Sequence, residues 1–196
     1  MQIIALTGPM ACGKSTVARF LRQRGFVVAD ADDLLESLWR QSEIKDILQA
    51  RFGLEAFHED GTVNVARLLS YADEHADVNS WLVHVLSRPL QEALTLWLFA
   101  QKRQKQKQLA IADGRFRFEL QELSPVQVWR MSADLEVRWE RLQARDHLTG
   151  DAARQRLQTA AMIETQTKFS RLIANNGNFT DLQKSLDVLL GNLNKK

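Results

Sequence analysis

Apolar residues follow two rhythms along this chain: short unbroken runs, and longer stretches spaced three or four residues apart. Gln2-Ile3-Ile4-Ala5-Leu6 is a run of the first kind and predicts a short buried strand. Val17, Ala18, Phe20 and Leu21 follow at helical spacing in a segment that opens at Ser15. Gly25 closes that helix, and Phe26-Val27-Val28-Ala29 predicts a second strand running into Asp30-Ala31-Asp32-Asp33. Helical spacing resumes at Leu34, Leu35, Leu38 and Trp39, with Asp32 or Asp33 placed to cap it. Ser42 to Phe52 predicts an amphipathic helix stopped by Gly53, and Asn64 caps one carrying Val65, Leu68, Leu69 and Tyr71. Ser80 to Ala100 is densely apolar, and Pro89 leaves open two helices joined at Ser87-Arg88 or one kinked helix. The Lys/Gln run from Gln101 to Gln108 reads as a solvated helix end.

The second half repeats the alternation. Leu109-Ala110-Ile111-Ala112 predicts a third strand ending at Asp113-Gly114, and Pro125 to Arg130 a fourth. Asp134 to Arg145 reads as a charged helix, and a turn at Thr149-Gly150-Asp151 opens another through Met162. Leu172-Ile173-Ala174 is the fifth strand, Asn175-Asn176-Gly177-Asn178 a turn, and an amphipathic helix runs on through Leu190. Short strands alternating with helices predict an α/β fold: a five-stranded parallel sheet flanked by helices. The helical stretch 34–108 is longer than one crossover needs and reads as a substrate-binding insertion. The core then comprises 1–33, 109–134 and 171–196, with a lid over 135–170, all within one domain.

Composition narrows the classes. A chain of 196 residues, 45% hydrophobic, can bury one sizeable core. A net charge of +2 gives no footprint for nucleic acid, and no apolar run reaches the length of a membrane span. The single cysteine excludes an internal disulfide and fits a reducing, cytoplasmic setting. It is Cys12, close to Lys14 and a helix start, where thiolate is favoured; redox sensitivity and an incidental small side chain are both open, the second preferred.

The candidate chemistry sits at the strand ends, where open α/β sheets place their sites. Gly8-Pro9-Met10-Ala11-Cys12-Gly13-Lys14-Ser15 is a complete G-x-x-x-x-G-K-[ST] phosphate loop between the first strand and first helix. Gly8 and Gly13 let the backbone turn its N–H groups inward, and Thr16 follows in the first helical turn. Lys14 is predicted to neutralise the β and γ phosphates of ATP, and Ser15 to hold Mg²⁺. The second strand delivers Asp30, Asp32 and Asp33, more acids than capping needs, so Asp30 or Asp32 is expected to act through a metal, as base for an acceptor hydroxyl, or as an acceptor of substrate hydrogen bonds. The third delivers Asp113, a metal-orienting acid or only a turn residue, and then Arg115 and Arg117. Arg141 and Arg145, one helical turn apart, are expected to close over the phosphates as a lid, the alternative being surface pairing with Glu136, Glu140 or Asp146.

Taken together these segments resemble the dephospho-CoA kinases over nearly the whole chain. The resemblance is carried by Ile4 to Gly8 with Gly13 to Ala18, by Asp30-Ala31-Asp32, and by Phe52-Gly53 and Asp60 to Asn64. Ala66-Arg67-Leu68, Trp81 to Leu90, Arg141 to Asp146 and Ile173 to Gly177 extend it. It implies phosphorylation of the ribose 3′-hydroxyl of dephospho-CoA, with Asp32 as the base, Arg141 and Arg145 in the lid, and Asn176 and Gly177 near the adenine. It also implies a monomer or weak homo-oligomer using ATP and Mg²⁺. Three segments depart from the family pattern. Arg88 stands where the family has His before Pro, and is carried over as an acceptor residue. Pro9-Met10-Ala11-Cys12 replaces a Gly-Ile-Gly-Ser core, and Asp113 to Glu119 replaces a Pro-Leu-Leu segment. The last is more similar to phage-type deoxynucleoside monophosphate kinases, so a monophosphate kinase gripping its acceptor through Arg115 or Arg117 is the alternative enzyme. A catalytically silent ATP-binding regulator is the alternative of another class.

Overall fold

The computed structural model describes residues 2–106, 108–112, 126–161 and 168–193. Five strands form one sheet: β1 (Gln2–Thr7), β2 (Val27–Asp30), β3 (Gln108–Ala112), β4 (Val126–Ser132) and β5 (Arg171–Ala174). Their order is β2-β3-β1-β4-β5 and every pairing is parallel, with Ile4 of β1 opposite Ala110 of β3 and Gln127 of β4. Eight α-helices accompany them among the described residues: α1 (Lys14–Gln23), α2 (Ala31–Leu38), α3 (Ser42–Phe52), α4 (Val65–Glu74), α5 (Ala76–Arg103), α6 (Leu135–Asp146), α7 (Gly150–Ala161) and α8 (Phe179–Leu193).

The strand period of two divides β1 between two cores. Ile3 and Ala5 face a core built with Ala29, Leu109, Ile111 and the buried sides of α2 to α5. Ile4 and Leu6 face the other, with Val17, Phe20 and Leu21 of α1 and Leu182 and Leu186 of α8. A sheet covered on both faces reads as unbroken apolar runs, which is why the strands show little alternation. A third cluster joins Leu142 of α6 to Ala153 and Leu157 of α7, and Met10 and Ala11 of the loop after β1 pack against it.

Several element ends lie a few residues from the sequence reading, Gln108 joining β3 among them, and two features differ in kind. β2 extends to Asp30, and it is the Asp30 carboxylate, not Asp32 or Asp33, that caps α2 by accepting from the Asp32 N–H at 3.1 Å. The Ser80–Ala100 region is one helix with Pro89 inside it. Val78, Leu82, Leu86, Leu90 and Leu94 are buried along it at intervals of four, so one apolar stripe crosses the proline and holds the helix to its neighbours.

Candidate active site

The β1–α1 connection is shaped by close approach. A Cβ on Gly8 would lie 2.4 Å from the Met131 carbonyl oxygen, and one on Gly13 would lie 2.3 Å from Asn175 Nδ2. Both glycines also have positive φ, +143° and +102°. Ala11 adopts φ 62° without being glycine, a local strain accepted where its methyl packs on the α6–α7 cluster. Lys14 spans the loop, its ammonium donating to the carbonyls of Gly8 at 2.7 Å and Pro9 at 3.1 Å. Helix α1 has no side-chain cap and no acid in its first turn, so its leading N–H groups and positive end face no carboxylate of their own turn. Ser15 is exposed there, and its hydroxyl has no partner among the described residues.

Cys12 is fully buried against Gly8, and burial pushes its thiol above the ordinary value; Lys14 opposes this more weakly. The environment makes it a small apolar filler, and the thiolate that the neighbouring lysine suggests from sequence is not favoured.

Asn175, just after β5, fastens the loop from the other side. Its Nδ2 donates to the Cys12 carbonyl at 2.9 Å, and its Oδ1 lies 3.5 Å from Arg141 Nη2, which also reaches the Gly177 carbonyl at 3.4 Å. The Nη1 of Arg141 is buried with no hydrogen-bond partner among the described residues. Arg138, one turn earlier on α6, lies close enough to Cys12 to act on its charge. Arg138, Arg141 and Arg145 therefore line one side of α6; the spacing of three and four is the sequence signal that adds Arg138 to the pair. Asn176 accepts from the Asp134 N–H at 2.8 Å and so ties the β5 end to the start of α6.

On the β2 side, burial holds the Asp30 carboxyl above its usual range, against the N–H of Asp32 that lowers it. Asp32 is exposed, its carboxylate accepts no hydrogen bond among the described residues, and it attracts the Arg145 guanidinium. Arg145 in turn makes a two-pronged contact with Asp146, Nε at 2.6 Å and Nη2 at 2.9 Å. That pair raises the arginine and lowers the acid.

Arg88 lies exposed on α5, away from the Leu86–Leu90 stripe and paired with Glu92 at 3.0 Å. Asp113, Arg115 and Arg117 lie outside the described residues. A cavity of about 540 Å³ opens between the end of α3 and α4, lined by Phe52, Glu55, Arg67, Leu68, Ser70 and Tyr71 among others. No group of three or more His, Cys, Asp or Glu among the described residues forms a metal cluster, and no described helix is long and apolar enough to cross a membrane.

This arrangement suits phosphoryl transfer: an anion cradle with a lysine, cationic side chains on one flank, and a carboxylate, Asp32, that attracts one of them and accepts no hydrogen bond among the described residues. The chain is 31% identical over 193 residues to a dephospho-CoA kinase of Streptococcus pneumoniae, covering 96% of this chain and 94% of that protein. It is likewise 31% identical over 196 residues to one of Geobacter sulfurreducens, covering 96% and 97%. Its fold is similar to that of the solved dephospho-CoA kinase of Campylobacter jejuni, with TM-score 0.65 at 19% identity over 100% of this chain and 98% of the other. The dephospho-CoA kinase family profile matches residues 2–181, a span that takes in all five strands and the phosphate loop, and the chain belongs to that family.

Proposed function

We propose that this protein transfers the γ-phosphoryl group of ATP to the ribose 3′-hydroxyl of dephospho-CoA, giving coenzyme A and ADP. The observation that carries the reading is an uncapped phosphate-loop helix together with an exposed Asp32 that accepts no hydrogen bond among the described residues and attracts Arg145, in a chain matching this family over residues 2–181.

The loop N–H groups and the α1 N-terminus bind the triphosphate, and Lys14 exchanges its Gly8 and Pro9 carbonyls for phosphate oxygens. The ribose oxygen forms its bond to Pγ as the bond from Pγ to the ADP oxygen breaks, and its proton passes to an Asp32 carboxylate oxygen. Arg141, with a buried guanidinium nitrogen lacking a partner among the described residues, and Arg145 supply donors for the charge that develops on the transferred group. The Ser15 hydroxyl and the Asp113 carboxylate are hard oxygen donors that would hold Mg²⁺, which would supply neutralisation of phosphate charge. Asn176 and Gly177 flank the adenine. Helices α2 to α5 hold the acceptor, and the cavity beside α4 lies within the 300–1,000 Å³ or so of ordinary ligand pockets. Met10 and Ala11, packed under α6–α7, transmit the position of the loop to the lid, and lid closure excludes water from the transfer.

The test is ADP release by the purified protein with ATP and Mg²⁺, using dephospho-CoA and a panel of nucleoside and deoxynucleoside monophosphates as acceptors. Turnover with dephospho-CoA is expected. Turnover with a monophosphate alone, or with none, overturns the reading. Asp32→Asn then separates chemistry from structure. Because Asp30 caps α2, removing the Asp32 charge is expected to lower kcat by about 10²–10⁴ while leaving the melting temperature and the ATP KM near wild type.

A further inference from the structure

Beyond the loop, the most developed charge cluster among the described residues crosses three helices. Arg156 of α7 is three-quarters buried, with 25% of its side chain exposed, and it meets a carboxylate on each of two other helices. Its Nε lies 2.9 Å from Asp73 Oδ2 on α4, an ion pair in which the N–H is not aligned as a hydrogen bond, and its Nη1 donates to Asp146 Oδ2, at the end of α6, at 2.5 Å. Those acids are only 16% and 20% exposed. Asp146 Oδ2 also accepts from Arg145 Nη2, and its Oδ1 accepts from Arg145 Nε. The four side chains therefore form a line, Asp73–Arg156–Asp146–Arg145, from the helical region between β2 and β3 to the arginine that Asp32 attracts.

A plain helix staple accounts for only part of this. Tying α4 to α7 requires Arg156 and Asp73 alone. The line continues to Arg145, which is 58% exposed and loses side-chain entropy by being held. Isolated exposed pairs contribute about 0–1 kcal/mol, but a desolvated network with charges of alternating sign fixes geometry, because each guanidinium fork accepts few orientations.

We propose that Arg156 is a positioning residue that couples the acceptor and ATP sites: through Asp146 it orients Arg145, and through Asp73 it makes that orientation depend on α4. This rests on the reading above, in which α2 to α5 hold the acceptor and Arg145 serves the phosphates. Binding of either ligand then sets the same line, and each favours the other.

Calorimetry of dephospho-CoA binding, with and without a non-hydrolysable ATP analogue, measures this coupling in wild type, Asp73→Asn, Asp73→Glu and Arg156→Lys. In wild type the analogue is expected to tighten the acceptor by at least about fivefold. In Asp73→Asn that factor falls to within about twofold of one, while each ligand alone binds within about threefold of wild type. Arg156→Lys keeps the charge but cannot fork between two acids, so it loses the factor as well, and Asp73→Glu restores part of it. A structural staple instead lowers the melting temperature of Asp73→Asn and leaves the coupling factor untouched; that result overturns the proposal, as does a wild type without coupling. Should Asp73→Asn fail to fold, Arg156→Lys decides between the same two outcomes. Failure of wild type to bind dephospho-CoA at all sinks the functional reading and this inference with it, whereas normal turnover with unchanged coupling in the variants sinks the inference alone.

Discussion

Replacing Asn175 by alanine tests how the phosphate loop is held in shape. The residue is 6% exposed, and its Nδ2 donates at 2.9 Å to the carbonyl of Cys12, a residue that is itself fully buried. Alanine leaves that carbonyl without this partner, at about 1–3 kcal/mol for an unsatisfied buried group. The 3.5 Å approach to Arg141 is at the limit of a hydrogen bond and adds little, since Arg141 keeps the Gly177 carbonyl. A loss of about 2 kcal/mol corresponds to a melting temperature lower by about 4–8 °C for a chain of this size. The loop loses preorganisation as well, and each ~1.4 kcal/mol of ordering moved into the binding step weakens ATP about tenfold. Thermal denaturation followed by ATP titration reads both effects.

A double-mutant cycle sharpens the test. Gly13→Ala puts a Cβ 2.3 Å from Asn175 Nδ2 and forces alanine to φ +102°. Removing Asn175 relieves the first penalty and leaves the second, about 1–3 kcal/mol of backbone strain. Gly13→Ala is therefore expected to cost at least about 1 kcal/mol less in the Asn175→Ala background than in wild type. Additive effects within about 0.5 kcal/mol, the scatter of independent sites, refute the tether. So does an Asn175→Ala protein with wild-type melting and ATP affinity.

Three further outcomes follow from the same geometry. Asp30→Ala should cost about 1 kcal/mol by uncapping α2, while Asp30→Asn keeps the capping acceptor, removes a charge that burial disfavours, and should melt at or above wild type. Asp146 is held below the ordinary aspartate value of about 3.9 by its hydrogen bond to Arg145, so its stabilisation is complete above that value and is lost as pH falls through the depressed one. Acid titration of stability should accordingly show a shallower low-pH loss in Asp146→Asn than in wild type, and superimposable slopes would contradict the assignment. Cys12, buried and with its thiol raised, should react with a disulfide reagent at about pH 7.5, below the ordinary thiol value, only as fast as the protein unfolds, and rapid labelling of the native protein would show that the loop opens.

What the sequence discloses about this molecule divides by distance along the chain. The phosphate loop is legible because every element of it is local: a strand, two glycines with fixed spacing, a lysine and a helix start all fall within residues 2–23. The alternation of strands and helices is legible for the same reason. Strand order is not, since a parallel sheet of order β2-β3-β1-β4-β5 is assembled by crossovers that no single window contains. The cap of α2 falls on Asp30 and not on the acids after it because β2 runs that far, and strand ends are decided by pairing with β3, not by the run of apolar residues. Pro89 allows two readings because a proline removes one helical hydrogen bond in either; the buried stripe on both sides of it selects the continuous helix. The members of the site that act on one another are the least visible. Asn175 and Cys12 are 163 residues apart, and each in its own neighbourhood looks ordinary: an asparagine in a turn, a cysteine in a glycine-rich loop. Their contact exists because β1 and β5 both flank β4 and end on the same side of the sheet, so the turn after β5 arrives beside the loop after β1. The glycine at position 13 is then doubly required, by its backbone angle, which the motif announces, and by the side chain of Asn175, which only the assembled sheet supplies.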